Sequence, residues 1–267
     1  MKRSIALLLV LPFLMAAAPA KPAKPAKPAK PVATQAPKEV ARPATPELIE
    51  TIDRVEVNWT KRTIQVTGLG FAPERGNLSQ RRALAKRDAF QIAYQGISEA
   101  LDQIRVTGDA AVRDLLVGDD LLKARLRELV REATPSEPRF LADGSVEVAL
   151  NLPLNRLSAS VLPPTKPSEA VSGAVTGIVV DGRGTGAQPS LRPRLKGQNG
   201  KVLAEASVSY FHTVEAAKEA MGKNPLVLKA KLSSGATRAD LVLDEGALKQ
   251  LTPHAGTLQT GNWVILL

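Results

Sequence analysis

Gly182, Gly184 and Gly186 alternate with Arg183 and Thr185, directly after an apolar run at residues 175–180. A glycine-rich turn leaving a strand is how a phosphate or dinucleotide loop begins, and its backbone amides need a helix N-terminus to complete the anion site. Here the spacing is Gly-x-Gly-x-Gly rather than Gly-x-Gly-x-x-Gly, and no Gly-Lys-Ser/Thr is present. Gln188-Pro189 and Pro193 stand where a helix would have to open. The run therefore reads as a flexible turn, with Asp181 and Arg183 as a structural pair and no cofactor implied.

His212 and His254 are the only imidazoles, about 42 positions apart and without an acidic cluster beside either. A metal site built on them would need several further ligands to converge in space. Each reads as a surface or partly buried polar residue, and no metal is expected. There is no cysteine, so disulfides, thiolate ligands and cysteine nucleophiles are excluded. No Gly-x-Ser-x-Gly elbow appears. Spacing alone assigns no pair of glycosidase carboxylates. No catalytic, cofactor-binding or metal-ligating residue is assigned.

The basic residues offer the remaining chemistry. The chain carries a formal net charge of +10 over 267 residues. Lys2 and Arg3 supply two of those charges, residues 21–42 supply a net five, and the remaining 225 residues hold only +3. A folded nucleic-acid face is therefore not required, and no specific nucleic acid is expected as a partner. Within the body, Arg81, Arg82, Lys86 and Arg87 form a local cluster. It reads as a solvated face with an anionic partner as the alternative.

The first twenty residues explain part of the charge. Lys2 and Arg3 precede an apolar stretch at residues 5–14, and Ala18-Pro19-Ala20 fits a small-x-small cleavage site. The stretch is short for a bilayer core of ~30 Å. Residues 1–20 are read as a signal peptide, which implies export to the periplasm or cell envelope of a bacterium. Residues 21–46 are rich in Pro, Lys and Ala and read as a disordered spacer favouring extended polyproline-like backbone. At ~3.1 Å per residue it would reach about 80 Å. Its lysines allow contact with an anionic surface. No later segment approaches a transmembrane span.

The elements of residues 47–162 follow from periodicity. Val55, Val57 and Trp59 alternate with polar residues, as do Ile64 and Val66 after Thr60-Lys61-Arg62, which predicts a hairpin with one buried face. Gly68-Leu69-Gly70-Phe71-Ala72-Pro73 reads as a turn. A long helix is expected over residues 79–104, capped by Ser79. Phe90, Tyr94, Ile97, Leu101 and Ile104 would form its apolar face, beside a stripe of Ala85, Ala89, Ala93, Gly96 and Ala100. Arg105-Val106-Thr107 reads as a short strand. A second helix starting at Asp119 or Asp120 runs to about Ala133, burying Leu122, Leu126, Leu129 and Ala133. A second hairpin turns at Asp143-Gly144 between Arg139-Phe140-Leu141 and Val146, Val148, Leu150 and Leu152. The expected class is α+β, an antiparallel or mixed sheet with two helices on one face.

Gly68-Leu69-Gly70, Pro73 and the run from Arg82 to Ala89, Arg-Ala-Leu-Ala-Lys-Arg-Asp-Ala, together resemble a known pattern. It is similar to the twenty-kilodalton outer-membrane lipoprotein family and to the N-terminal domain of the flagellar H-ring protein FlgT. The resemblance covers residues 54–155. It implies a small α/β envelope domain without known catalysis. Two departures matter. The lipid-attachment cysteine is missing, so the lipoprotein anchor is not implied, and Asp88-Ala89 falls earlier in the helix than in the family.

Pro163-Pro164-Thr165-Lys166-Pro167 marks a linker at 163–173, followed by a second, mostly-β α+β region at 174–267. Its expected strands are residues 175–180, a short one between Leu191 and Leu195, then 226–232, 239–243 and 263–267. Asn199-Gly200 is a turn, residues 214–221 a helix, and Asp244 the cap of a helix through Leu251. The last strand, beginning at Trp263, is apolar enough to require a place inside the sheet. The segment Thr176-Gly177-Ile178-Val179-Val180-Asp181-Gly182-Arg183-Gly184 resembles one found downstream of such envelope domains.

These readings converge on a non-enzymatic exported envelope protein acting through protein or cell-wall contacts. A flagellar or motility accessory is a sharper form of the same idea. A periplasmic hydrolase is the enzymatic alternative, and a polyanion-binding module is a third.

Overall fold

A computed structural model describes residues 46–163 and 175–267. The signal peptide at 1–20, nearly all of the spacer at 21–46 and the linker at 163–173 beyond Pro163 lie outside the described residues. Among the described residues, no helix is long and apolar enough to cross a membrane.

The chain is α+β and builds two sheets. In the first, β1 (Ile49–Ile52), β2 (Val55–Asn58) and β3 (Thr63–Gly70) form an antiparallel meander. Two helices follow, α1 (Leu78–Gln103) and the short α2 (Val112–Leu116), and then α3 (Asp120–Arg131). The two-residue strands β4 (Thr134–Pro135) and β5 (Arg139–Phe140) both pair with β6 (Val146–Pro153), which lies antiparallel to β3. Helix α4 (Leu154–Val161) closes the region. Val55 sits opposite Val66 and Val57 opposite Ile64, all buried on one face, as the alternation predicts. Val146, Val148, Leu150 and Leu152 line the same core. The other face of β3, at Gln65 and Thr67, is exposed.

Helix α1 lies along β3 and β6, and here three expectations change. Gly68 and Gly70 are not in a turn; β3 runs through both. A Cβ on Gly68 would come 2.1 Å from the carbonyl oxygen of Ala89, and one on Gly70 1.9 Å from that of Ala85. The glycines are there because the helix backbone rests on the strand. The buried stripe is correspondingly the small one, Ala85, Ala89, Ala93 and Ala100 with Ile97 and Leu101. Phe90 and Tyr94 are too large for that gap and stack on its flank, ring centroids 6.3 Å apart. The cap is Asn77, not Ser79: its side chain accepts from Gln80 N at 2.9 Å and its own N–H donates to Gln80 Oε1 at 3.2 Å. Helix α3 is capped by Asp119 and buries Leu122, Leu126 and Leu129 as expected.

The second sheet comprises β7 (Gly177–Asp181), β8 (Arg194–Gly197), β9 (Val202–Glu205), β10 (Tyr210–Phe211), β11 (Pro225–Leu232), β12 (Leu241–Leu243) and β13 (Trp263–Leu266). Helix α5 (Val214–Met221) crosses from β10 to β11, α6 (Glu245–Leu251) starts at its Asp244 cap, and α7 (Ala255–Gln259) precedes β13. The strand order is β10-β13-β7-β11-β12-β8-β9. The first four are mutually parallel, β12 runs antiparallel to β11, and β8 pairs parallel with β12. β13 is an inner strand between β10 and β7, as its apolar side chains require. Val179, Val264 and Leu266 face α5, while Ile178, Val180 and Ile265 face the opposite side.

That opposite side joins a single apolar cluster with the core of the first sheet. Trp59 meets Tyr210 edge to face at 5.8 Å, and Thr60 Oγ1 donates to the Tyr210 carbonyl at 2.6 Å. Arg105-Val106-Thr107 is not a strand of either sheet. Arg105 makes one isolated bridge to Ala111, and the carbonyls of Arg105 and Val106 accept from Leu191 and Arg192, each at 2.9 Å.

Candidate functional site

The glycine loop leaves the C-terminal end of β7, where parallel sheets commonly present ligands. Gly184 and Gly186 have φ of 73° and 72°, the left-handed conformation that favours glycine. A phosphate cradle needs successive free amides, and five of this loop's are engaged, which leaves those of Gly184 and Gly186 separated from each other by an engaged one. Gly182 N donates to Leu266 O at 3.0 Å, Thr185 N to Gly182 O at 3.2 Å, and Gln188 N to Arg238 O at 2.9 Å. Arg183 N reaches Asp181 Oδ1 at 3.2 Å and Ala187 N reaches Thr185 Oγ1, also at 3.2 Å. Arg183 grips Asp181 in a fork, Nε at 2.9 Å and Nη2 at 2.7 Å, which holds the Asp181 carboxyl below the usual carboxylate range. No helix opens from the loop; the chain continues through Pro189 into the seam between the sheets. It is a turn pinned to its surroundings through most of its amides.

His212 is exposed, its Nδ1 3.1 Å from the carbonyl of Leu267. His254 ends a 3-10 turn, Thr252–His254. Among the described residues, no three His, Asp or Glu side chains gather as a metal site.

Sequence reasoning missed the charged hubs of the seam. Asp240 is fully buried and central to one of them. Its Oδ1 accepts from Gly108 N at 2.9 Å and Arg194 N at 3.1 Å, and its Oδ2 from Arg194 Nε at 2.7 Å and Lys196 Nζ at 2.8 Å. Arg194 also reaches Asp109. Burial pushes the Asp240 carboxyl up, but the Arg194 and Lys196 hydrogen bonds outweigh it and hold the carboxyl below its usual range. Gly108 is required here, since a Cβ would stand 2.3 Å from the Asp240 carboxyl carbon. In a second hub Glu50 accepts from Trp59 Nε1 at 2.8 Å and from Arg105, whose Nε donates to Pro189 O at 2.8 Å. Tyr210 is buried with its hydroxyl between Ser190 N at 2.9 Å and Ser190 O at 3.0 Å, and burial pushes its pKa up to about 12. A carboxylate with every lone pair taken by fixed donors is an anchor, poorly placed to move protons. Nothing in the sequence around Asp240 marks it, because its partners lie 46 and 132 positions away.

The basic cluster is placed differently. It sits where α1 overhangs the end of the first sheet. The Arg82 guanidinium lies 5.4 Å from the centroid of the Phe140 ring on edge strand β5, and Lys86 lies 6.0 Å from that of Phe90. Arg81 Nε donates to Pro73 O at 2.6 Å. Lys86 and Arg87 are exposed. Among the described residues none of Arg81, Arg82, Lys86 and Arg87 joins an ion pair, unlike most arginines of the seam. The first turn of α1 carries no acidic residue to balance the positive helix end. Large apolar side chains are exposed at the same end: Leu78 is 53% and Phe140 50% accessible, and Phe71, where the chain leaves β3, is 66%. A separate cavity of about 280 Å³ between α1 and α3 has Leu101, Leu116, Leu126 and Val130 as its floor, with Asp102, Lys123 and Arg127 at its rim.

Comparison with known proteins concerns the second sheet. The family model for the second domain of Treponema pallidum Tp0624 matches residues 177–267, which run from β7 through β13 and take in none of the first sheet. No curated protein matches the chain.

Proposed function

We propose that the protein is an exported, non-enzymatic component of a bacterial envelope that acts by contact with envelope proteins or cell-wall polymer. The carrying observation is the overhang of α1, where unpaired cations and exposed apolar side chains share one surface. The seam charges of Asp240, Arg194 and Lys196 are matched to one another, whereas the cations and apolar area of the overhang lie where another body can reach them. The apparent export signal and the lysine-rich spacer at 21–46 support the same reading. The resemblance of residues 54–155 to the outer-membrane lipoprotein and FlgT-like families supports the same reading, since it implies an envelope domain without known catalysis.

Cell fractionation followed by in-cell crosslinking tests it. The expected result is a chain lacking its first residues, found in the envelope fraction and crosslinked to a protein or wall polymer. A cytosolic chain that retains Met1, or an envelope chain that crosslinks to neither, would overturn the proposal.

A further inference from the structure

We infer that the overhanging end of α1, with edge strand β5 beneath it, docks on an anionic lipid surface. Leu78, Arg82 and Lys86 follow one another at spacing four along α1, so they rise on one side of the helix. That side is continuous with the buried stripe at Ala85 and Ala89, but the sheet that covers the stripe ends at Gly70 and Val146. Beyond that end, Leu78 is half exposed. Phe140, paired opposite Val146 on β5, lies under Arg82.

The occupant follows from how these groups are arranged. Leu78 is aliphatic and half exposed, so it gains only from an apolar medium. One face of the Phe140 ring is covered by a guanidinium, which leaves it badly placed to stack a sugar of a wall polymer. Arg82 Nε is buried without a hydrogen-bond partner, while its charge stays beside the ring at the surface. Cations standing around a few apolar side chains suit the boundary of an anionic bilayer, where the cations meet phosphate and the apolar groups enter the acyl edge. Arg75 and Arg81 widen the positive rim; Glu74 and Asp88 are its nearest acids in sequence, and Asp88 lies on the outward side of α1. The inference concerns this surface alone. It rests on the envelope reading and narrows it: the surface that carries that reading is assigned to lipid, and contacts with protein or polymer fall to other parts of the chain.

The chain has no cysteine, so single cysteines can carry a polarity-sensitive dye in the full-length protein. The variants are L78C, F140C and, on the solvent side of α1, L84C as the reference. With vesicles of phosphatidylglycerol and phosphatidylethanolamine, emission at positions 78 and 140 should shift to the blue while that at 84 stays unchanged. Molar salt should abolish the shift. Adding R82E and K86E to L78C should raise the anionic lipid needed by at least about tenfold. Since the N-terminal segment and spacer could hold the chain on vesicles by themselves, the dye position, not sedimentation, is the readout. No shift at 78 and 140, equal shifts with phosphatidylcholine vesicles, or a shift produced by wall-polymer fragments without lipid would each overturn the assignment. A vesicle failure would leave the crosslinking result standing, so the two proposals fail separately.

Discussion

The first sheet is antiparallel and open to water on one face, whereas the parallel centre of the second is covered on both. Exposure and alternation go together in the first: Ile64 and Val66 are buried while Gln65 and Thr67 are not. In β7 every residue from Gly177 to Val180 is buried, with α5 on one side and the shared core on the other. The two regions also place charge differently. The cations of α1 stand unpaired at the rim of the first sheet, while Arg194 and Lys196 of the second are turned into the seam against Asp240. The first region thus offers surface, and the second supplies the anchor that fixes it. The most direct way to break this contrast is to cut the anchor.

Replacing Asp240 with Ala leaves Lys196 without its carboxylate, Arg194 with Asp109 alone, and Gly108 N without an acceptor. Removing one partner of a buried charge set costs about 3–5 kcal/mol, which should appear as a large fall in the denaturation midpoint. The pH dependence has a definite sign. The folded carboxyl lies below the usual carboxylate range, so its contribution is fully present above the unfolded pKa and is lost as pH falls through the folded one. Acid titration of stability should therefore flatten below about pH 4 in D240A relative to the parent. Equal acid slopes in the two proteins would remove Asp240 from the anchor.

Glycine substitutions sharpen the contrast at the level of packing. A Cβ at Gly70 meets backbone atoms, Ala85 O at 1.9 Å and Ala89 N at 2.5 Å, and neither can step aside without moving α1. G70A should cost about 1–3 kcal/mol or more. At Gly177, on β7, the nearest atom is Met221 Sδ at 2.7 Å, the end of a flexible side chain. G177A should cost less than about 1 kcal/mol. Paired chemical denaturation curves would decide it, and equal losses would mean that α1 and α5 sit on their sheets in the same way.

How much of this was legible in the chain follows from the same geometry. Val55, Val57, Ile64 and Val66, and later Val146 to Leu152, were readable because one wet face imposes a period of two. Residues 214–221 read as a helix, and Trp263 to Leu266 as an inner strand, from apolar content alone. What was missed depends on distance in sequence. Gly68 and Gly70 look like turn residues until a helix is known to lie on them. Leu154–Val161 begins directly after β6, and Pro153 at its head was the one available start signal for α4, hidden by the apolar alternation that runs up to it. The basic cluster of α1 could be seen as charge, but not its exposed neighbours Leu78 and Phe140, which come together only when β5 pairs with β6. Asp240 could not be found by any local rule, whereas the glycine loop was readable as a turn from its spacing and from Pro189 and Pro193.

Helix starts provide the smallest comparison between the regions. In α1, Asn77 and Gln80 satisfy each other's backbone amides, a reciprocal box at the head of a 26-residue helix. In α5 the Thr213 hydroxyl accepts once, from Ala216 N at 3.3 Å, at the head of an eight-residue helix. A long contact is a weak one, and α5 is held mainly by Ala216 and Ala217 packed against Val179 and Leu266. N77A should therefore cost about 1 kcal/mol and T213A about half of that. S79A, at the position that sequence reading picks as the cap, should leave the thermal midpoint unchanged, because Ser79 lies inside α1. A loss in S79A equal to that in N77A would move the start of α1 by two residues and turn Leu78 away from the rim where the lipid is proposed to bind.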